Sequence, residues 1–207
     1  LDKLHVSEGT TLSERYLASL AKKSFLSLWC YPNIFTDEGR KNGKGTGQEL
    51  CDLLVVFEKH ILIFSDKNCK FQDGVAGKLA WSRWYRKAIK KSAAQIIGAR
   101  NWIKNYPGRL YLDPSCRQPF PIKLNLEACR FHLIAVTRGS NSACNNYLGR
   151  RSFGSLQIDT MISNDNHAEH PFTIGRILSE ESYIHVFDEF SIEVAMQELD
   201  TIYDFID

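Results

Sequence analysis

Acidic and basic side chains border two apolar stretches in the first third of the chain. Asp52 falls near the start of the run from Leu50 to Phe57, and Asp66 and Lys67 fall at the end of the run that begins at His60. Carboxylates held close together repel each other unless a cation lies between them. A magnesium-type ion, bound by carboxylate oxygens, water and phosphate, would supply that compensation. These residue types therefore predict a divalent metal site if the fold brings them together.

The two apolar runs predict a β-hairpin that would do so. Both runs are rich in Val, Ile, Leu and Phe, and only Glu58 and Lys59 separate them, which is typical of two buried strands joined by a tight turn. In an antiparallel hairpin the start of the first strand lies beside the end of the second. The sequence therefore places Asp52, Asp66 and Lys67 in one neighbourhood.

Two predicted helices flank the hairpin in the sequence. Thr11 to Glu14 has the spacing of a capping box, and apolar residues then recur at helical intervals, which predicts a helix over 12–29 with Glu14 beside its buried stripe. A longer helix is predicted over 78–106. Within it, Gln95 borders the core-facing stripe and could reach the end of the hairpin. Trp81, Trp84 and Trp102 are expected in the core.

The longer helix carries many basic residues and no acidic residue. Its predicted nucleic-acid contacts are Arg83, Arg86, Lys87, Lys90 and Lys91. A solvent face of this kind is strongly positive and favours a polyanionic partner such as nucleic acid. The alternative is a solvated helix face with no partner.

The remaining elements predict an α/β fold. Strands are expected near 33–36, 131–137, 154–158 and 183–187, and helices over 141–148 and 191–206. Between 37 and 48 a glycine-rich basic loop lacks the spacing of a P-loop. We expect a central mixed sheet with helices on both faces, comprising a core over 1–140 and a C-terminal α/β elaboration over 141–207 packed on the same domain.

Composition narrows the classes of protein to which this chain can belong. The chain has 207 residues, is 43% apolar and has a net charge of +2, which suits one folded unit and names no partner by itself. Its six cysteines form no CxxC pair, which indicates a reduced, cytoplasmic protein. No apolar run approaches the roughly 20 residues that a membrane-spanning helix needs. The loop from Asp165 to His170 is an alternative metal-binding segment.

The order of these residues resembles the PD-(D/E)XK, or restriction-endonuclease-like, nuclease superfamily. The resemblance covers about residues 12–137. It implies that Asp52 is the acid of the first catalytic strand, that Asp66 and Lys67 close the next strand, and that Gln95 is the helical glutamine. Glu14 or Glu49 would be the accessory acid.

The resemblance implies metal-dependent hydrolysis of phosphodiester bonds in DNA. Mg²⁺ or Mn²⁺ would be bound by Asp52, Asp66 and Glu49, and Lys67 would position or activate the attacking water. A homodimer would be consistent with cleavage of both strands. The superfamily pattern places an acid two residues before the lysine, where this chain has Ser65. Strand alternation sets Ser65 and Lys67 on one face and Asp66 on the other, so Asp66 reaches the metal only if the strand ends or bulges there.

Two other functions are compatible with the same residues. The first is a nuclease-like domain that binds nucleic acid without cleaving it. The second is a protein-interaction domain in which the acids only pair with neighbouring Lys and Arg residues. One scaffold hosts many functions, so the fold alone does not decide among the three.

Overall fold

The computed structural model describes residues 6–40, 44–72, 77–149, 156–178, 183–199 and 201–206. The α-helices of these ranges are α1 Leu12–Ser24, α2 Gly77–Tyr85, α3 Lys91–Asn105, α4 Asn141–Leu148, α5 Glu189–Glu198 and α6 Ile202–Ile206. The strands are β1 Cys30–Thr36, β2 Gln48–Phe57, β3 His60–Asn68, β4 Leu110–Tyr111, β5 Arg130–Arg138, β6 Gln157–Ser163, β7 Thr173–Arg176 and β8 Ile184–Asp188. Short 3-10 helices cover Leu126–Ala128 and Asn164–Ala168.

Six strands form one mixed sheet in the order β4-β1-β2-β3-β5-β8. The pairs from β4 to β3 are antiparallel, and the pairs β3–β5 and β5–β8 are parallel. Because these pairs are parallel, the C-terminal ends of β3, β5 and β8 lie side by side at the same end of the sheet. Strands β6 and β7 form a separate parallel pair. The predicted α/β class with a central mixed sheet is therefore confirmed.

Two apolar layers cover the two faces of this sheet. On one face, α2 and α3 bury residues such as Trp81 and Ile96 against Leu54 and Ile63. On the other face, Leu17 of α1 and residues of α5 pack on the alternate side chains of the hairpin, which include Leu53 and Phe64. Strand alternation sends successive side chains to opposite layers, so the hairpin strands read as continuous apolar runs.

The predicted hairpin is present, and its hydrogen-bond ladder stops at the acidic residues. Glu58 has a φ of 50° at the turn between β2 and β3. The paired register runs from Phe57 and His60 to Leu53 and Phe64. At the next position, Oδ2 of Asp52 accepts the backbone N–H of Asp66 at 2.5 Å. A side chain thus takes the place of a ladder bond and holds the two strand ends at a fixed distance.

Several predicted boundaries need correction. The helix predicted over 12–29 ends at Ser24, because Phe25 leaves helical geometry and Leu26 has a φ of 65°. The helix predicted over 191–206 is two helices, since Leu199 has extended backbone. The helix predicted over 78–106 is continuous but contains a π-helical turn at Arg86–Lys90.

The helix predicted over 141–148 is α4 with the predicted bounds, and the remaining predicted strands are found with shifted ends. The strand predicted near 33–36 extends over β1, and the one near 183–187 is β8, which belongs to the central sheet. The strand near 154–158 is β6, and residues 154 and 155 lie outside the described residues. In the described ranges, no helix has the length and apolar character needed to cross a membrane.

Candidate active site

Asp52 and Lys67 meet where β2 and β3 separate. The Lys67 Nζ lies 3.7 Å from Oδ2 of Asp52, and the Asp52 side chain is only 5% exposed. Oδ2 is also the acceptor of the Asp66 N–H, whereas Oδ1 accepts no hydrogen bond from the residues described. The predicted proximity of Asp52 to Asp66 and Lys67 is thus confirmed, since Asp52 contacts the backbone of Asp66 and the side chain of Lys67.

Glu14 and Glu49 join this site through one asparagine. The Nδ2 of Asn33 donates to Glu14 Oε2 at 3.0 Å and to Glu49 Oε1 at 2.6 Å. Asn33 is almost fully buried and has a φ of 51°, a conformation that Asn adopts more readily than most residues. The capping box predicted for Thr11 and Glu14 is present, and it holds Glu14 at the start of α1. Asn33 therefore ties an acid of a helix to an acid of β2.

The three carboxylates differ in electrostatic state. Burial raises the pKa of Asp52, and the nearby charges of Glu14 and Asp66 add to that rise, although Lys67 opposes it. Glu49 is exposed at the surface, but partial desolvation by its neighbours raises its pKa, and the charges of Asp52 and Glu14 add to that rise. Glu14 is different: burial would raise its pKa, but hydrogen bonds from Asn33 and the N–H groups of Thr10 and Thr11 hold it below its usual value. The site therefore concentrates negative charge that only Lys67 and neutral donors offset.

Ser65 occupies the position where the superfamily pattern has an acid. Its side chain is fully buried, and its hydroxyl donates to Gln95 Oε1 at 3.0 Å. The carbonyl of Ser65 accepts the hydroxyl of Ser92 at 3.4 Å. These bonds attach α3 to the end of β3 and bring Gln95 beside the site, as predicted. The Nε2 group of Gln95 remains available as a donor.

Asp66 faces the opposite side of the sheet. Its carboxylate accepts the Arg138 Nε at 3.0 Å and 3.3 Å, and Ser13 of α1 also hydrogen-bonds to it. Burial raises the pKa of Asp66, and Arg138 opposes that rise. Strand β3 continues in regular register with β5 as far as Asn68. Strand β3 therefore neither ends nor bulges at Asp66, and the condition under which Asp66 would reach the metal is not met.

A groove of about 470 Å³ opens beside the site. It runs from Glu49 and Gln95 along α3 to Trp102 and Tyr106. Trp81 and Trp84 are buried in the core as predicted, but Trp102 is only partly buried and borders the groove. Trp102 still packs against the main core cluster, so its predicted core position is confirmed in part.

The basic residues of the long helix are largely exposed. Arg83, Arg86, Lys87 and Lys91 are exposed, and Lys90 is partly buried. Lys91 lies one helical turn before Gln95, so the two side chains share a face of α3. The glycine-rich loop is described only in part, because residues 41–43 lie outside the described ranges. The basic surface thus extends to the border of the candidate active site.

The fit of a metal ion depends on the donor set. Among the residues described, no group of three or more His, Cys, Asp or Glu side chains is arranged to hold a metal ion. Mg²⁺, however, is commonly bound through one or two carboxylates, with water and substrate phosphate as the other ligands. Asp52 and Glu49 each have one oxygen without a hydrogen-bond partner in the described structure, so they fit that smaller donor set.

The alternative metal segment over 165–170 has a structural role at its central histidine. His167 is fully buried, its Nδ1 lies 2.6 Å from the carbonyl of Asn164, and its Nε2 accepts the N–H of Gly175. The side chain of Asp165 lies outside the described residues. Both nitrogens of His167 are therefore engaged in holding the 3-10 helix to β7.

Two residues of the site were not anticipated from the sequence. Asn33 follows Pro32 inside a strand, and an asparagine at such a position is a signal for left-handed backbone. Arg138 closes β5, and it is aligned with Asn68 only because β5 is parallel to β3. The parallel pairing requires a long crossover, which the predicted helix between the two strands already indicated.

Comparisons with family models, with curated proteins and with solved structures find no match to this chain. Arguments about function therefore rest on the geometry of the site.

Proposed function

We propose that this protein is a metal-dependent nuclease that hydrolyses phosphodiester bonds in DNA. One observation supports this most strongly. Glu49 and Asp52 lie close enough for the charge of Asp52 to raise the pKa of Glu49, and Lys67 lies 3.7 Å from Asp52. Two acids and one lysine at the open end of a hairpin form a suitable donor set for a divalent ion and a phosphate.

Asp52 and Glu49 would hold Mg²⁺ or Mn²⁺. Glu14 would add negative charge beside them, since Asn33 joins it to Glu49 by hydrogen bonds. The chemistry supplied by such an ion when bound is neutralisation of phosphate charge and a lower pKa for an attacking water. Asp66 has its own cation in Arg138, so we leave it out of the proposed ligand set. The backbone N–H of Asp66 still contributes, because it fixes the orientation of the Asp52 carboxylate.

Lys67 and Gln95 would act on the substrate. The Lys67 ammonium is partly exposed, so it can donate hydrogen bonds to a phosphate oxygen and to the attacking water. Gln95 keeps its carbonyl on Ser65 and can donate from Nε2. The exposed Arg and Lys residues of the long helix would bind backbone phosphates, which gives affinity without base specificity.

Incubation of the pure protein with plasmid and linear DNA, with Mg²⁺ or Mn²⁺ and with EDTA, tests the proposal. We expect metal-dependent cleavage by the wild type that is lost in Asp52→Ala and Lys67→Ala variants. Glu58→Ala is a matched control, because Glu58 lies at the other end of the same hairpin. Equal, trace cleavage by the wild type and by both site variants would refute hydrolysis.

A non-catalytic nucleic-acid-binding domain is the second candidate. It is favoured by Ser65, which fills the usual acid position and binds Gln95, and by the pairing of Asp66 with Arg138. This alternative predicts salt-sensitive DNA binding that is unaffected by EDTA and by Asp52→Ala. A protein-interaction domain predicts neither DNA binding nor a metal requirement.

A further inference from the structure

We propose that the groove beside the active site takes an unstacked nucleobase from single-stranded DNA. This inference rests on the proposed function, since it identifies the form of nucleic acid that the same site would receive. The groove begins at Glu49 and Gln95, which border the site, and ends at the aromatic rings of Trp102 and Tyr106. Its volume of about 470 Å³ lies within the range of about 300–1,000 Å³ usual for small-ligand sites.

The charges of the groove exclude a phosphate as its main occupant. Glu38 and Glu49 line it, and no Lys or Arg belongs to its lining among the residues described. A phosphate would meet two acids in the lining, and the cation nearest the aromatic end, Arg109, is already paired with Asp37. The exposed basic side chains of Lys87 and Lys91 instead lie outside the groove, two turns and one turn before Gln95 on the same face of the helix. The backbone of a strand therefore fits the helix face, and a neutral part of the strand fits the groove.

The polar groups of the groove match the edges of a base. Gln48, Asn101 and Asn105 contribute carboxamides, which both donate and accept hydrogen bonds. The side chains of Gln48 and Asn105 make no hydrogen bond to other described residues. Asn101 uses its oxygen to accept from Arg100 and keeps its Nδ2 as a donor. Nucleobases carry this mixture of donors and acceptors on their edges.

The aromatic end of the groove offers a stacking surface. Tyr106 is 45% exposed, and its ring centroid lies 4.8 Å from that of Trp102. The Arg109 guanidinium lies about 5 Å from both ring centroids and binds Asp37 at 2.8 Å. This arrangement restricts rotation of the rings. Bases stack on such rings in proteins that bind single strands.

Gly98 keeps one wall of the groove open. It lies inside α3, where glycine is less favourable than alanine, and it lines the groove. A Cβ added at Gly98 would meet no atom within 4 Å. Packing within the chain therefore does not require glycine here, and a methyl group fits at this position without a clash.

Fluorescence anisotropy tests the inference with labelled single-stranded DNA, RNA of the same sequence and the matching DNA duplex. The buffer contains EDTA, so that hydrolysis does not interfere. We expect the wild type to bind single-stranded DNA more tightly than the duplex. Gly98→Leu and Tyr106→Ala should each weaken single-strand binding by about 5- to 100-fold and leave duplex binding unchanged. Gly98→Ala is the matched control, since it adds one methyl group and should retain wild-type affinity with higher thermal stability.

Unchanged single-strand affinity in folded Gly98→Leu and Tyr106→Ala would overturn the inference. Tighter binding of the duplex or of RNA, or no binding of any of the three, would overturn it as well. Thermal melting of each variant confirms that it is folded. If the groove variants lose single-strand binding but the wild type cleaves no DNA with Mg²⁺ or Mn²⁺, the groove assignment stands and the proposed hydrolysis fails.

Discussion

Asp52 and Asp66 lie on neighbouring strands, yet their surroundings are opposite. Asp66 is buried with its own cation, since Arg138 Nε lies 3.0 Å from its carboxylate. Asp52 is buried to a similar extent, but its nearest cation, Lys67, is 3.7 Å away and partly exposed. Asp52 also lies close to Glu14, whose charge raises its pKa, and to Glu49, whose pKa it raises in turn. One carboxylate is thus compensated within the fold, and the other is compensated incompletely.

Under the proposed function, this difference separates an acid that stabilises the fold from an acid that binds the metal ion. A buried ion pair with good geometry fixes the chain but has little capacity left for a ligand. The pKa values of Glu49 and Asp52 are raised partly by neighbouring carboxylates, and a cation between these acids would relieve that repulsion. Under the proposed function, the Asp66–Arg138 pair stabilises the fold, and Asp52, Glu49 and the nearby Glu14 carry the chemistry.

The largest effects are expected from Lys67→Met and Asp52→Asn in a DNA cleavage assay. Loss of the ammonium should lower the single-turnover rate by about 10²- to 10⁴-fold, because a group that positions or deprotonates water typically contributes that much. Asp52→Asn should lower the rate at least as far. The Lys67→Met, Asp52→Asn double variant should be little worse than either single variant, since the two residues act as one unit. If the losses of the two single variants instead add in the double variant, the two residues act independently.

Arg138→Met should instead act on stability. It leaves Asp66 as a buried charge without its partner, which should lower the free energy of unfolding by about 3–5 kcal/mol. Lys67→Met also removes the partner of a buried acid, but the pair is longer and its lysine is partly exposed, so the loss should be smaller than for Arg138→Met. Urea denaturation measures both values. A similar loss in the two variants would remove the contrast between the two acids.

Asp52→Asn should make the metal-free protein more stable at pH 7. The folded-state pKa of Asp52 is raised, so its stabilising contribution is present below the unfolded value near 3.8 and is lost as pH rises through the folded value. An amide removes the unfavourable charge. We expect a higher melting temperature than wild type at pH 7 and no advantage near pH 3. A lower melting temperature at both pH values would show that the carboxylate is stabilising.

Of these variants, Lys91→Ala should have the smallest effect, and that effect is on DNA binding. Lys91 is exposed beside Gln95, so its removal should weaken DNA binding equally across sequences and reduce the slope of log affinity against log salt by about 1. Lys59→Ala, in the turn at the other end of the hairpin, is the matched control and should leave the slope unchanged. Equal slopes for Lys91→Ala and wild type would remove Lys91 from the interface.

Local pattern was enough to predict the hairpin, the capped Glu14 and the approach of Gln95 to β3. These depend on strand alternation, on capping and on helix period, all of which are local properties. The partner of Asp66 could not be predicted in the same way. Arg138 reaches Asp66 only through the parallel pairing of β3 with β5, which lie far apart in the sequence.

The groove was missed for a related reason. Trp102 has the spacing of a core residue and packs against the core, but it is only partly buried and also lines the groove. The bridge from Asn33 to Glu14 and Glu49 depends on the positive φ of Asn33, which strand propensity does not indicate.

Titration calorimetry with Mn²⁺ tests the central assignment most directly. We expect the wild type to bind Mn²⁺, Asp52→Asn to lose that binding, and Lys67→Met to retain it, because loss of the lysine removes a competing positive charge. Asp66→Asn should also retain Mn²⁺ binding, since the side chain of Asp66 faces Arg138. Mn²⁺ binding by Asp52→Asn equal to wild type, or its loss only in Asp66→Asn, would contradict the account.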